Sequence, residues 1–106
     1  MKEFQGTPGP WIADKTSRAV GPISHDDDQS YGMVIPVAWV EFDPEVEIQA
    51  SNQNLIAAAP ELLEALKELI SGYEDREQSG MFDMLVHGDL IEKANTAINK
   101  ALGEKQ

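Results

Sequence analysis

SNQNLIAAAPELLEALKELISGY, residues 51–73, is the stretch on which the fold of this chain turns. Leu55, Ile56, Ala59, Leu62, Leu63, Leu66, Leu69, Ile70 and Tyr73 recur at steps of three and four, which lines them along one stripe of an α-helix. Such a stripe has to be covered by the rest of the chain. Ser51 or Asn52 is the expected N-cap. Pro60 falls inside the stripe, where a missing N–H and a clash with the preceding turn cost a helix about 3 kcal/mol. The spacing therefore predicts a short helix over about 52–58 and a longer one with Pro60 in its first turn. Glu61 and Glu64 then lie near the positive end of that second helix.

Further along, Leu90, Ile91, Ala94, Ala97, Ile98, Ala101 and Leu102 share one face, predicting a helix over 89–102 that Gly103 stops. MFDMLV, residues 81–86, is apolar and ambiguous, readable as an early turn of that last helix.

The segments before residue 50 read as β-structure. TPGPW, residues 7–11, carries two prolines and cannot be helical; it is an extended lead-in, after which Trp11, Ile12 and Ala13 begin a strand. AVGPIS, residues 19–24, has strand character interrupted by Gly21 and Pro22, so it is an edge strand, a bulge or two half-strands. HDDDQS, residues 25–30, is a loop. YGMVIPVAWVEF, residues 31–42, is the strongest β signal, and Pro36 splits it or confines its first half to an edge. Within it Ala38, Val40 and Phe42 alternate with Val37, Trp39 and Glu41, putting apolar residues on both faces. DPEVEIQ, residues 43–49, reads as a turn or short strand. The expected architecture is α+β: three to four short antiparallel strands over 7–49, packed against two to three helices over 51–103. At 106 residues, one domain with one core is the expectation.

Composition narrows the function. Nineteen acidic against eight basic residues give a net charge of −11, with no two basic residues adjacent. That opposes direct binding to nucleic acid, which needs clustered cations, and to anionic membrane surfaces. No cysteine is present, so thiolate metal sites, cysteine nucleophiles and disulfides are excluded. No segment reaches the roughly 18–20 apolar residues of a membrane span, and residues 1–6 lack an apolar signal core. A cytoplasmic location is the simplest expectation.

The candidate chemistry is thin. His25 beside Asp26, Asp27 and Asp28 offers oxygen and nitrogen donors without the alternating ligands of a calcium loop, and reads as a solvated turn. Glu61, Glu64 and Glu68 share a helix face opposite the leucines and read as a solvent face. No nucleophile elbow, phosphate-cradling glycine loop or zinc-protease motif occurs. No catalytic, metal or cofactor residue is assigned, and no cofactor is expected. Trp11, Tyr31, Val37 and Trp39 are the candidate contact residues.

TPGPW at 7–11 followed by NQNLIAAAPELLEALKEL at 52–69 resembles a family of short proteins of tailed phages and prophages. That family pairs TPGPW with a later N-x-x-L-I-A-A-A-P-E-L-L segment. A looser version is similar to the early accessory (Ead-type) proteins of lambdoid phages. The resemblance implies a phage or prophage accessory gene acting in the bacterial cytoplasm, and no catalytic motif.

Three readings follow. The first is a non-enzymatic accessory protein that binds a host or phage protein and forms a homodimer through Trp39 or the helix from Leu62 to Tyr73. The second is a nucleotide or metabolite binder, or a minor enzyme, using Trp39, Tyr31, His25 and His87. The third is an acidic mimic of nucleic acid that blocks a host DNA-binding or defence protein.

Overall fold

Alternation and turn chemistry upstream, helical spacing downstream, yield six elements in the computed structural model, which describes residues 3–25, 29, 31–79 and 88–104. They are β1 (Ile12–Ala13), β2 (Ala19–Gly21), β3 (Ala38–Trp39), α1 (Val46–Ala57), α2 (Ala59–Ser79) and α3 (Gly88–Ala101). The expected α+β class is what is found, with three antiparallel strands in the order β1-β2-β3 and three helices. The chain divides into two compact units, one of Gly6–Glu61 and one of Met1–Gln5 with Leu62–Gln106.

In the Gly6–Glu61 unit, β2 is the central strand, which excludes the edge position considered for residues 19–24. Ala19, Val20 and Gly21 are all buried, and α1 packs on β1 and β2. The two half-strands are real: beyond Gly21 the pairing resumes as an isolated bridge of Ile23 with Val34. From that bridge to the Val20↔Ala38 pair, β2 advances three residues while its partner advances four, so residues 34–38 carry a bulge. Pro22 accepts a hydrogen bond from the Ile35 N–H at 2.8 Å but has no N–H to return to the Ile35 carbonyl. That carbonyl lies over Gly21 instead, where a Cβ would stand 1.8 Å from its oxygen. Ile35 and Val37 both direct their N–H groups at β2, so Pro36 between them faces the outer side, in keeping with an edge strand.

Residues 46–49 correct the expected turn or short strand, since α1 already begins at Val46; Ser51 and Asn52 are exposed residues inside it and cap nothing. The physical reason is that α1 turns a polar face to the sheet. Gln49 is half-buried and Gln53 buried, whereas Val46, Ile48 and Leu55 are exposed, so a search for apolar periodicity misses its first turns. Its entry is tied by side chains: the Asp43 carboxylate accepts from the Glu45 N–H (2.8 Å), and Gln49 Oε1 accepts from the Asp43 N–H (3.2 Å). The break at Pro60 falls as expected, with α2 starting at Ala59 and Pro60 in its first turn.

In the unit that begins at Leu62, the core is narrower than the stripes predict. Ile70, Ile98 and Leu102 are buried, with Leu63, Leu66, Ile91 and Ala94 packed against them. Leu62, Leu69 and Leu90 are exposed, as are Ala97 and Ala101, while Glu61, Glu64 and Glu68 face solvent as expected. Gly103 ends α3 at φ +75°, with its N–H on the Lys100 carbonyl (3.2 Å) and the Glu104 N–H on Asn99 (2.9 Å), a Schellman motif. Residues 81–86 and His87 lie outside the described residues.

Candidate interaction face and groove

The β2–β3 ribbon presents one unusual surface. Tyr31, Met33, Ile35, Val37 and Trp39, five alternate residues, are all exposed, from 43% at Val37 to 65% at Tyr31. Alternation puts Met33, Ile35 and Val37 on one face, whereas the bulge before Ala38 reverses the parity: Val37 and Val40 both turn their N–H groups to β2, so Trp39 is out of phase with that run. The alternation does not carry on to residue 42. Val40 is buried, but β3 has ended at Trp39, and Phe42 is exposed rather than aligned with it.

Of the four contact residues read from the sequence, Tyr31, Val37 and Trp39 are all exposed along residues 31–39, Tyr31 in the turn, Val37 before the bulge and Trp39 in β3. Trp11 is placed differently: it is half-buried and its indole N–H donates to the Thr7 carbonyl (3.2 Å), closing TPGPW on itself. Gly9 of the same motif abuts Pro60, where a Cβ would lie 2.7 Å from the Pro60 Cβ. The two motifs, separated by forty residues of sequence, thus meet in space. His25 is exposed and its ring meets Tyr31 edge-to-face at 5.4 Å. Among the described residues no group of three or more acidic or histidine side chains could hold a metal ion; Asp26, Asp27 and Asp28 lie outside them. No helix among the described residues is long and apolar enough to cross a membrane.

Beside Trp39 opens a groove of about 670 Å³, lined by Lys15, Arg18, Trp39, Phe42, Asp43 and Val46 among others. A smaller groove of about 300 Å³ shares Lys15, Val46 and Gln49 with it. The wall between β1 and β2 is held by side-chain hydrogen bonds. Asp14 accepts from the Thr16 N–H and hydroxyl and the Ser17 hydroxyl, each at 3.0 Å. These bonds, the Thr16 backbone first, hold its carboxyl below the usual carboxylate range. From α1, Gln53 Nε2 reaches the carbonyls of Asp14 (2.8 Å), Ser17 (3.1 Å) and Ala19 (2.9 Å). Lys15, Arg18 and Phe42 were not singled out by the sequence reading. The available signal was that Lys15 and Arg18 are the only cations between residues 6 and 61.

These features define a small α+β protein with an exposed apolar segment over residues 31–39 and, beside Trp39, a mixed aromatic and cationic groove. The chain belongs to the family described as Salmonella phage P22 protein Y8K6, whose model matches residues 1–105. It is accordingly a member of a phage-associated family. No curated protein and no solved structure matches it.

Proposed function

We propose that the protein is a non-enzymatic phage accessory factor that works in the bacterial cytoplasm by binding a host or phage protein through the exposed apolar segment of residues 31–39. The observation that carries this is the run of five exposed alternate apolar residues from Tyr31 to Trp39. Contiguous exposed apolar surface is disfavoured in water, at about 25 cal/mol per Å², and on a folded chain it marks a contact surface. The accessory role is supported by the phage family and by the paired TPGPW and N-x-x-L-I-A-A-A-P-E-L-L motifs. A second surface supports self-association: Leu62 and Leu69, two helical turns apart on α2, are both exposed, which suits a two-fold homodimer.

Affinity capture from bacterial lysate, paired with mass spectrometry of small molecules that co-purify, tests the first part. The expected result is a discrete protein partner retained by the wild-type chain and lost in Met33→Asp and Val37→Asp. A reproducible nucleotide or metabolite with no protein partner overturns the reading.

A further inference from the structure

The groove beside Trp39 differs in charge from the unit that surrounds it. Residues 6–61 hold nine acidic side chains and two cations, and both cations, Lys15 and Arg18, line this groove. Among the described residues neither is ion-paired. Arg18 gives one guanidinium N–H to the Val40 carbonyl at 3.3 Å, and Lys15 is exposed. A guanidinium carries five N–H donors, so most of Arg18's capacity is unused. The neighbouring carboxylates do not pair with them, Asp14 accepting from Thr16 and Ser17 and Asp43 from the Glu45 N–H, so the groove sets two cations against one lining carboxylate, Asp43. Against these cations stand Trp39, 63% exposed, with Phe42 and Val46, both more exposed still.

The backbone adds a third element. β3 is an edge strand, and because Val40 turns its N–H to Arg18 of the β2 side, alternation turns the N–H and C=O of Trp39 to the side away from β2. An extended peptide can pair with such an edge.

Resting on the protein-binding reading above, we propose that this groove docks an extended acidic segment of the partner. Its carboxylate meets Lys15 and Arg18, and an apolar or aromatic side chain next to it lies on Trp39 and Phe42. Charge decides against the other anionic occupants. Duplex DNA brings one phosphate per roughly 1.7 Å of its axis, which would carry charge past two cations onto Glu45 and Glu47, the residues flanking the groove's Val46. An anionic bilayer meets the same acidic rim. A peptide can place one or two carboxylates and keep its remaining length neutral. Its attraction is local, because at 0.15 M salt the charges beyond about 8 Å are screened.

Selection of a random dodecapeptide library on the full immobilised chain, followed by fluorescence anisotropy of the enriched peptides at 0.15 M salt, tests this. Enrichment of Asp or Glu next to Phe, Trp, Leu or Ile is expected. Lys15→Glu and Trp39→Ala should each weaken the selected peptide about tenfold, and binding should fall between 50 and 300 mM salt. Circular dichroism melts confirm that both variants are folded; both positions are exposed, so neither substitution removes a core contact. No enrichment, enrichment of basic peptides, indifference to Lys15→Glu, or preferential binding to phosphatidylglycerol vesicles or single-stranded DNA overturns the proposal. If capture of a protein partner persists in Lys15→Glu but is lost in Met33→Asp, the docking inference fails and the reading of residues 31–39 as the contact segment stands.

Discussion

A single side-chain amide, that of Gln53, serves three backbone carbonyls. An amide nitrogen has two hydrogens, so the carbonyls of Asp14, Ser17 and Ala19 share them, one bond being bifurcated. Gln53 is buried, and its loss takes this donor from the Asp14 and Ser17 carbonyls, while that of Ala19 keeps the Asp14 N–H at 3.0 Å. Gln53→Ala is expected to lower stability by about 1–3 kcal/mol, and Gln53→Glu by at least as much, since a carboxylate is acceptor-only and would face three oxygens. Chemical melts of the three proteins check this; Gln53→Glu as stable as wild type at pH 7 would refute the assignment. Gly21 shows a different dependence on one residue. The Ile35 carbonyl occupies the place a side chain would need, so Gly at this position answers to an approach of backbone from fourteen residues away. Neither role is visible locally: Gln53 is one more polar residue in NQN, and Gly21 one more strand breaker before a proline.

The helices divide by which face they bury. On α2 the inward line is Leu63, Leu66 and Ile70, and on α3 it is Ile91, Ala94, Ile98 and Leu102. Each predicted stripe was right in period and too wide, because periodicity assigns every apolar residue of a broad arc to the core while the partner helix covers only the middle of that arc. Leu66→Ala is expected to cost about 2–3 kcal/mol, at the low end for a leucine because Leu66 is only partly buried, whereas exposed Glu64→Ala changes stability by less than about 0.5 kcal/mol. Urea melts in which the two substitutions are equally damaging would reverse the assignment of faces on α2. α1 lay outside this logic at its start: its inward residues, Gln49 and Gln53, are polar, Gln49 accepting from the Asp43 N–H and Gln53 donating to carbonyls from Asp14 to Ala19.

For the whole molecule, self-association is a contest between charge and apolar burial. The net charge of −11 opposes it, but screening confines repulsion to about 8 Å at 0.15 M salt, and burying apolar surface contributes about 25 cal/mol per Å² before association costs. Leu69 is 69% exposed and Leu62 lies two turns before it, so an interface on this helix face is the proposed means of dimerisation. Light scattering at micromolar concentration should give twice the 11.7 kDa chain mass, and Leu69→Glu should restore 11.7 kDa. A wild-type particle of 11.7 kDa refutes the dimer.

The order of elements, the α+β class, the break at Pro60 and the stop at Gly103 all followed from the sequence by itself. Each depends on the chemistry of a residue or on short-range period: a missing N–H, a permissive φ, spacings of two or of three and four. Tertiary structure alone decided that β2 is central, that α1 begins at Val46, that Gly9 meets Pro60, and that Lys15 and Arg18 share a groove with Trp39 and Phe42. Those outcomes depend on groups brought together from seven to about fifty residues apart in the chain. Their energies, a clash avoided at Gly21 or a carbonyl satisfied by Gln53, exist only once the backbone has closed.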